Sequence, residues 1–141
     1  MIVNAKAFLI KMEKKLKTNP KRKVRRSMER ATNLVRNEAV ESILRGVKSG
    51  PTVTRYQPKR VHQTSSAGEA PASDTGFLAS QISTEVRIIG KQIVGSVVSA
   101  APYSVALEFG TTKMAPRPFL QPALKKSRQK IERIFIQEGV T

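Results

Sequence analysis

The segment Ile82-Ser83-Thr84-Glu85-Val86-Arg87-Ile88 alternates apolar and polar residues, Gly90-Lys91 interrupts it, and Gln92-Ile93-Val94-Gly95-Ser96-Val97-Val98-Ser99 follows as a run rich in Val and Ile. Period-two alternation is the mark of a strand with one buried face, and two such runs joined by a glycine turn read as a hairpin. A two-stranded hairpin is marginal in water, so other elements must cover its apolar side. Two long helical patterns are available to do so. From Lys21 to Arg45 the apolar positions Val24, Met28, Ala31, Val35, Ala39 and Ile43 recur every three or four residues, which draws one stripe along a helix that Gly46 can stop. Near the C-terminus Leu120, Leu124, Ile131, Ile134 and Phe135 mark a second helix, with Lys125, Lys126, Arg128, Lys130 and Arg133 on its other side. The fold class that follows is α+β: a small antiparallel sheet with a hairpin core, packed against a long N-terminal helix and a C-terminal helix.

The remaining segments are assigned by the same reasoning, within one domain spanning 1–141. Residues 1–19 place Phe8, Leu9, Met12 and Leu16 near helical spacing among lysines, which predicts a short amphipathic helix broken at Asn19-Pro20. Helical periodicity vanishes over 46–76 into Gly, Pro, Ser, Thr and basic residues, so this stretch is expected to be a long extended loop or arm that orders on contact with a partner. Residues 77–141 hold a helical turn or strand lead-in, the hairpin, a short helix over Tyr103 to Phe109 capped by Gly110 in a left-handed conformation, an extended corner pinned by Pro116 and Pro118, and the closing helix. A sheet of few strands leaves edges that a neighbouring chain can pair with.

Composition limits the chemistry. A chain of 141 residues with 39% hydrophobic content, five Phe, two Tyr and no Trp builds one modest core. The absence of cysteine excludes disulfides and thiolate chemistry. No run of 18 apolar residues spans a membrane, and the N-terminus lacks the layout of a signal peptide, so the chain is expected to be soluble where it is made. The formal charge of +16 is uneven: residues 1–30 contain eleven Lys/Arg against Glu13 and Glu29, whereas residues 61–110 are slightly acidic. Basic ends of this kind attract polyanions or acidic proteins.

No catalytic constellation is present in the sequence. Glu69, Asp74, Glu85 and Glu108 are the only acids between residues 42 and 131, and none forms a spaced pair for general acid–base work. Asp74-Thr75-Gly76 reads as a turn, not as part of an aspartic protease, and no phosphate-binding glycine loop occurs. His62 has no second ligand at metal spacing and is expected to be a solvated loop histidine. No metal, cofactor or small-molecule substrate is expected. The run Lys21-Arg22-Lys23-Val24-Arg25-Arg26, with Arg30 beyond it, has the charge of a phosphate-contacting patch or a surface for an acidic partner. It lacks interleaved aromatics, so any contact with nucleic acid is with the backbone and indifferent to base sequence.

One string is not required by any core or charge argument: Tyr103-Ser104-Val105-Ala106-Leu107-Glu108-Phe109-Gly110-Thr111, followed by Ala115-Pro116-Arg117-Pro118-Phe119-Leu120. With Gly68-Glu69-Ala70-Pro71 and Asp74-Thr75-Gly76 upstream, it resembles the neck proteins of long-tailed bacteriophages, also called tail completion or head-tail joining proteins. The resemblance covers most of the chain and implies a structural virion protein, not an enzyme. It implies a ring, six copies by analogy, set between head connector or adaptor proteins and tail terminator or tail tube proteins, assembled in the neck of the virion after synthesis in the host cytoplasm. Passing DNA would be touched non-specifically and no membrane would be involved. Glu108, Phe109, Gly110, Thr111, Arg117, Pro118 and Phe119 are then the expected structural corner and interface, with Phe109 and Phe119 as apolar anchors and Glu108 accepting a bidentate hydrogen bond from Arg117. The alternative drawn from charge is a non-sequence-specific nucleic-acid-binding protein.

Overall fold

A computed structural model describes residues 2–3, 8–15, 21–56, 58–90 and 92–139; of residues 2–3, 8–15 and 21 it describes the backbone alone. The architecture is α+β. Strands β1 (Ile2–Val3), β2 (Phe8–Lys15), β5 (Ile82–Ile89) and β6 (Gln92–Ser99) form an antiparallel sheet in the order β1-β2-β6-β5. Helices α1 (Lys21–Arg45) and α4 (Leu120–Gln137) pack against each other, and α1 lies on β5 and β6. A second sheet of two strands, β3 (Thr52–Tyr56) and β4 (Lys59–Gln63), stands apart. Short helices α2 (Phe77–Ser80) and α3 (Ser104–Phe109) flank the β5–β6 hairpin.

The hairpin pairs in the register the alternation implies, with Ile82 opposite Ser99, Thr84 opposite Val97 and Ile88 opposite Ile93. Every apolar position of the α1 stripe, from Val24 to Ile43, is buried. The stripe serves two adjoining clusters: Val24, Met28 and Ala31 meet Ile93 and Phe135, while Val35, Ala39 and Ile43 meet Leu78, Ile82, Val97, Phe119 and Leu120. Full burial of side chains of this size contributes roughly 1.5–3 kcal/mol each. Close approach of helix and sheet depends on Gly95, where an added Cβ would sit 2.5 Å from Thr32 Cγ2 and 2.6 Å from Met28 Sδ. Hydroxyls drawn into this interface are satisfied locally: Ser27 Oγ donates to the Lys23 carbonyl at 3.0 Å and Thr32 Oγ1 to the Glu29 carbonyl at 3.0 Å. Arg36 ties the helix to the sheet by donating from Nε to the Ile82 carbonyl at 3.0 Å.

The helices run antiparallel. Arg30 of α1 pairs with Glu138 just past the end of α4, and Glu38 pairs with Lys126. This pairing sets the basic beginning of α1 beside the end of α4.

Two sequence expectations are corrected. Of the helix expected over residues 1–19, positions 8–15 form a strand that pairs along β6 from Phe8↔Ser99 to Lys15↔Gln92, and 2–3 pair with 8–9; the remaining positions lie outside the described residues. Phe8, Ile10 and Met12 also satisfy a period of two, and they fall opposite Ser99, Val97 and Gly95. The open edge of β6 decides between the two periods, because pairing satisfies its row of backbone donors and acceptors. The segment 46–76 is likewise not simply a loop, since it carries the β3–β4 hairpin.

Candidate functional site

The segment expected to form a corner joins α3 to α4, and its contacts differ from those expected. Glu108 closes the last turn of α3 and is only 4% exposed, yet it forms no ion pair with Arg117. Its carboxylate instead receives the backbone N–H groups of Phe119 and Leu120 on Oε2, at 2.8 and 3.1 Å, and of Gln121 on Oε1 at 2.8 Å. These are the orphan donors that open α4, whose first turn has no acidic residue and whose N-cap residue makes no side-chain bond. A buried negative charge at the positive end of a helix is stabilised by both the hydrogen bonds and the macrodipole.

Gly110 then turns the chain with φ 75° and ψ 177°. This is positive φ as expected, but in the extended region reached almost only by glycine and not in the left-handed helical one. Space imposes the same choice: a Cβ here would lie 2.8 Å from the Met114 carbonyl oxygen and 2.9 Å from Pro116 Cδ. Thr111 folds the intervening tip, its Oγ1 accepting the Lys113 and Met114 N–H groups at 3.2 and 3.1 Å. Phe119 is buried core at 1% exposure, Pro118 is half-buried, and Phe109 is 43% exposed at the end of α3, so only one of the two expected phenylalanine anchors points inward.

Arg117, between its two prolines, donates its backbone N–H to the Leu107 carbonyl at 2.6 Å. Its Nε is shielded from solvent and meets no acceptor, alone in this among the buried side-chain nitrogens and oxygens of the described residues. An unsatisfied buried donor costs about 1–3 kcal/mol. Arg117 lines a cleft of about 260 Å³ together with His62, Asp74, Phe77, Tyr103 and Leu107.

The far wall of that cleft is the base of the β3–β4 arm, whose anchorage the sequence did not disclose. Asp74 receives Arg60 Nε at 2.9 Å and stands 3.3 Å from Arg55 Nε and 3.9 Å from His62 Nδ1. The hydrogen bond from Arg60 is the main reason the Asp74 carboxyl is held below its ordinary range. His62 is therefore not a solvated loop residue; its side chain is 12% exposed and faces this carboxylate. Glu69 fastens the other end of the segment, accepting the Ser49 hydroxyl and the backbone N–H groups of Ser49 and Ser66 at 3.0 and 2.8 Å. The Ser49 hydroxyl is the main cause that lowers the Glu69 carboxyl. Lys48 Nζ donates to the carbonyls of Ser42 and Ala70 at 2.9 and 2.8 Å, and Gly68 N–H to the Pro116 carbonyl at 2.9 Å. The arm is thus folded and tied to the corner, while Tyr56 and Val61 stay exposed on it.

The second predicted patch is divided. Arg22, Lys23, Arg25, Arg26 and Arg30 are exposed on α1, and the side chain of Lys21 lies outside the described residues. Arg25 is paired with Glu29 and Arg30 with Glu138, which leaves Arg22, Lys23 and Arg26 without a carboxylate partner among the described residues. No group of three or more potential metal ligands occurs among the described residues, and no described helix is long and apolar enough to cross a membrane. Comparison with protein-family models, characterised proteins and solved structures gives no match to this chain.

Proposed function

We propose that this protein is a structural component of a phage neck, a head-tail joining or tail completion protein that acts by assembly and not by catalysis. The observation that carries this reading is the corner string with its two upstream motifs: Glu108, Gly110 and Arg117 meet at one junction, Gly68 bonds to it, and Asp74 secures the arm beside it. Residues picked out by the resemblance thus cooperate in presenting an arm and a cleft. β5 further supports docking, since it ends the described sheet with its outward side chains exposed, and an edge of this kind can accept a neighbour's strand. A ring of six copies between connector and tail proteins is the assembly proposed.

The test is complementation. A phage lacking the gene for this chain should yield filled heads and separate tails, and the purified protein should restore joined particles in the extract. Normally joined particles from the deletion would refute the reading.

The exposed cations of α1 and α4 favour one alternative, backbone binding to nucleic acid. Duplex binding of roughly 10⁻⁴ to 10⁻⁶ M that fades with salt is ordinary for such a surface. Tight preference for one sequence or structure, about a thousandfold over random duplex, would make nucleic-acid binding the primary role.

A further inference from the structure

We infer that the cleft between the arm base and the corner is a docking site for an acidic segment of a different protein, with Arg117 receiving a carboxylate and the Phe77–Tyr103 pair receiving an adjacent aromatic or apolar side chain. Three observations converge on it. The Arg117 guanidinium carries donors and no acceptor, its backbone is fixed between two prolines and bonded to Leu107, and its Nε has no acceptor. A carboxylate seated in the cleft matches the planar guanidinium fork on its wall.

Asp74 does not repel such a ligand strongly, because its charge is already engaged by Arg60 and Arg55. Also lining the cleft, Phe77 and Tyr103 are each partly exposed, with ring centroids 6.3 Å apart and planes inclined at 44°. They offer an apolar ledge beside the cation.

The chemistry of the occupant follows from the chain's own acids. Every carboxylate whose side chain is described already has a partner within the chain, from Glu29 with Arg25 to Glu138 with Arg30, and Glu108 is buried against the start of α4. A second copy offering one of these would have to give up its internal partner, and a chain of charge +16 repels its like. An acidic partner supplies the carboxylate without that cost. This rests on the joining role for the existence of a partner, but its test uses free protein and a peptide, so it stands or falls separately from particle joining.

The probe is the capped tripeptide Glu-Phe-Glu, titrated into ¹⁵N-arginine-labelled protein while the arginine Nε–H resonances are followed. The Arg117 resonance is expected to shift and saturate with Glu-Phe-Glu and not with Gln-Phe-Gln. Arg117→Gln should weaken binding about tenfold or more, as removal of one member of a shielded charge pair does. Phe77→Ala, at a half-exposed position, should weaken it independently, with the α1 amide resonances unchanged as the check on folding. An unmoved Arg117 resonance at millimolar peptide, an equal response to Gln-Phe-Gln, or saturation by inorganic phosphate at lower concentration than by the peptide would overturn the inference, the last in favour of nucleic-acid phosphate.

Discussion

Glu108 Oε2 accepts the Phe119 backbone N–H at 2.8 Å, so a residue that ends one helix caps the next across eleven positions of chain. Glu108→Ala leaves three donors at the start of α4 without their acceptor in a buried setting, and should destabilise the protein by about 2 kcal/mol or more. Glu108→Gln keeps an acceptor oxygen and should cost less. Urea denaturation of both variants checks the order; equal losses would show that a neutral acceptor oxygen contributes nothing here, and no loss in either would show that the hydrogen bonds are immaterial.

Gly110 and Gly68 both have positive φ, but only Gly110 is crowded, by Met114 and Pro116. Gly68→Ala should therefore carry only the backbone strain, of order 1–2 kcal/mol. Gly110→Ala should be the more damaging, its strain of order 1–3 kcal/mol being increased by the clash. Thermal melts of the pair measure the difference directly.

Gly95→Ala pushes a methyl group against Met28 and Thr32, and overpacking of this kind costs typically about 1–3 kcal/mol. Combining it with Met28→Ala should give less than the sum of the two separate losses, since the second change opens the space the first requires. Strict additivity would place the strain elsewhere.

Asp74 and Glu69 are both held below their ordinary carboxyl values, by Arg60 and by the Ser49 hydroxyl respectively. A depressed native value means that the anchorage is present above the ordinary carboxyl range and lost as pH falls through the native value. Protection of the arm amides, taken relative to their intrinsic exchange rate at each pH, should accordingly fall at acid pH while the buried amides of α1 remain protected. Asp74→Asn should reproduce the loosening at neutral pH, seen as faster trypsin cleavage after Arg55, Lys59 and Arg60, with little change in the global unfolding midpoint.

Local periodicity made α1, α4 and the β5–β6 hairpin legible, because each has a long apolar stripe with one consistent period. Phe8-Leu9-Ile10-Lys11-Met12 fits two periods, and a distant partner strand, from Gly95 to Ser99, chooses between them. The arm was signalled weakly by Thr52-Val53-Thr54-Arg55-Tyr56, whose residue types favour a strand, but few apolar residues advertised it. Partnerships such as Glu108 with the start of α4, or Asp74 with two arginines across a hairpin, depend on tertiary geometry that no spacing rule encodes.

The antiparallel pairing of α1 and α4 also gathers positive charge from both ends of the described chain into one layer. Cations that lie a hundred residues apart in the chain, such as Arg26 and Arg133, share one helical layer, while on the opposite β5 flank Glu85 and Arg87 cancel each other. A polyanion that reaches this layer therefore meets the charge of two distant stretches of sequence at once, and loss of the helix pairing would disperse it.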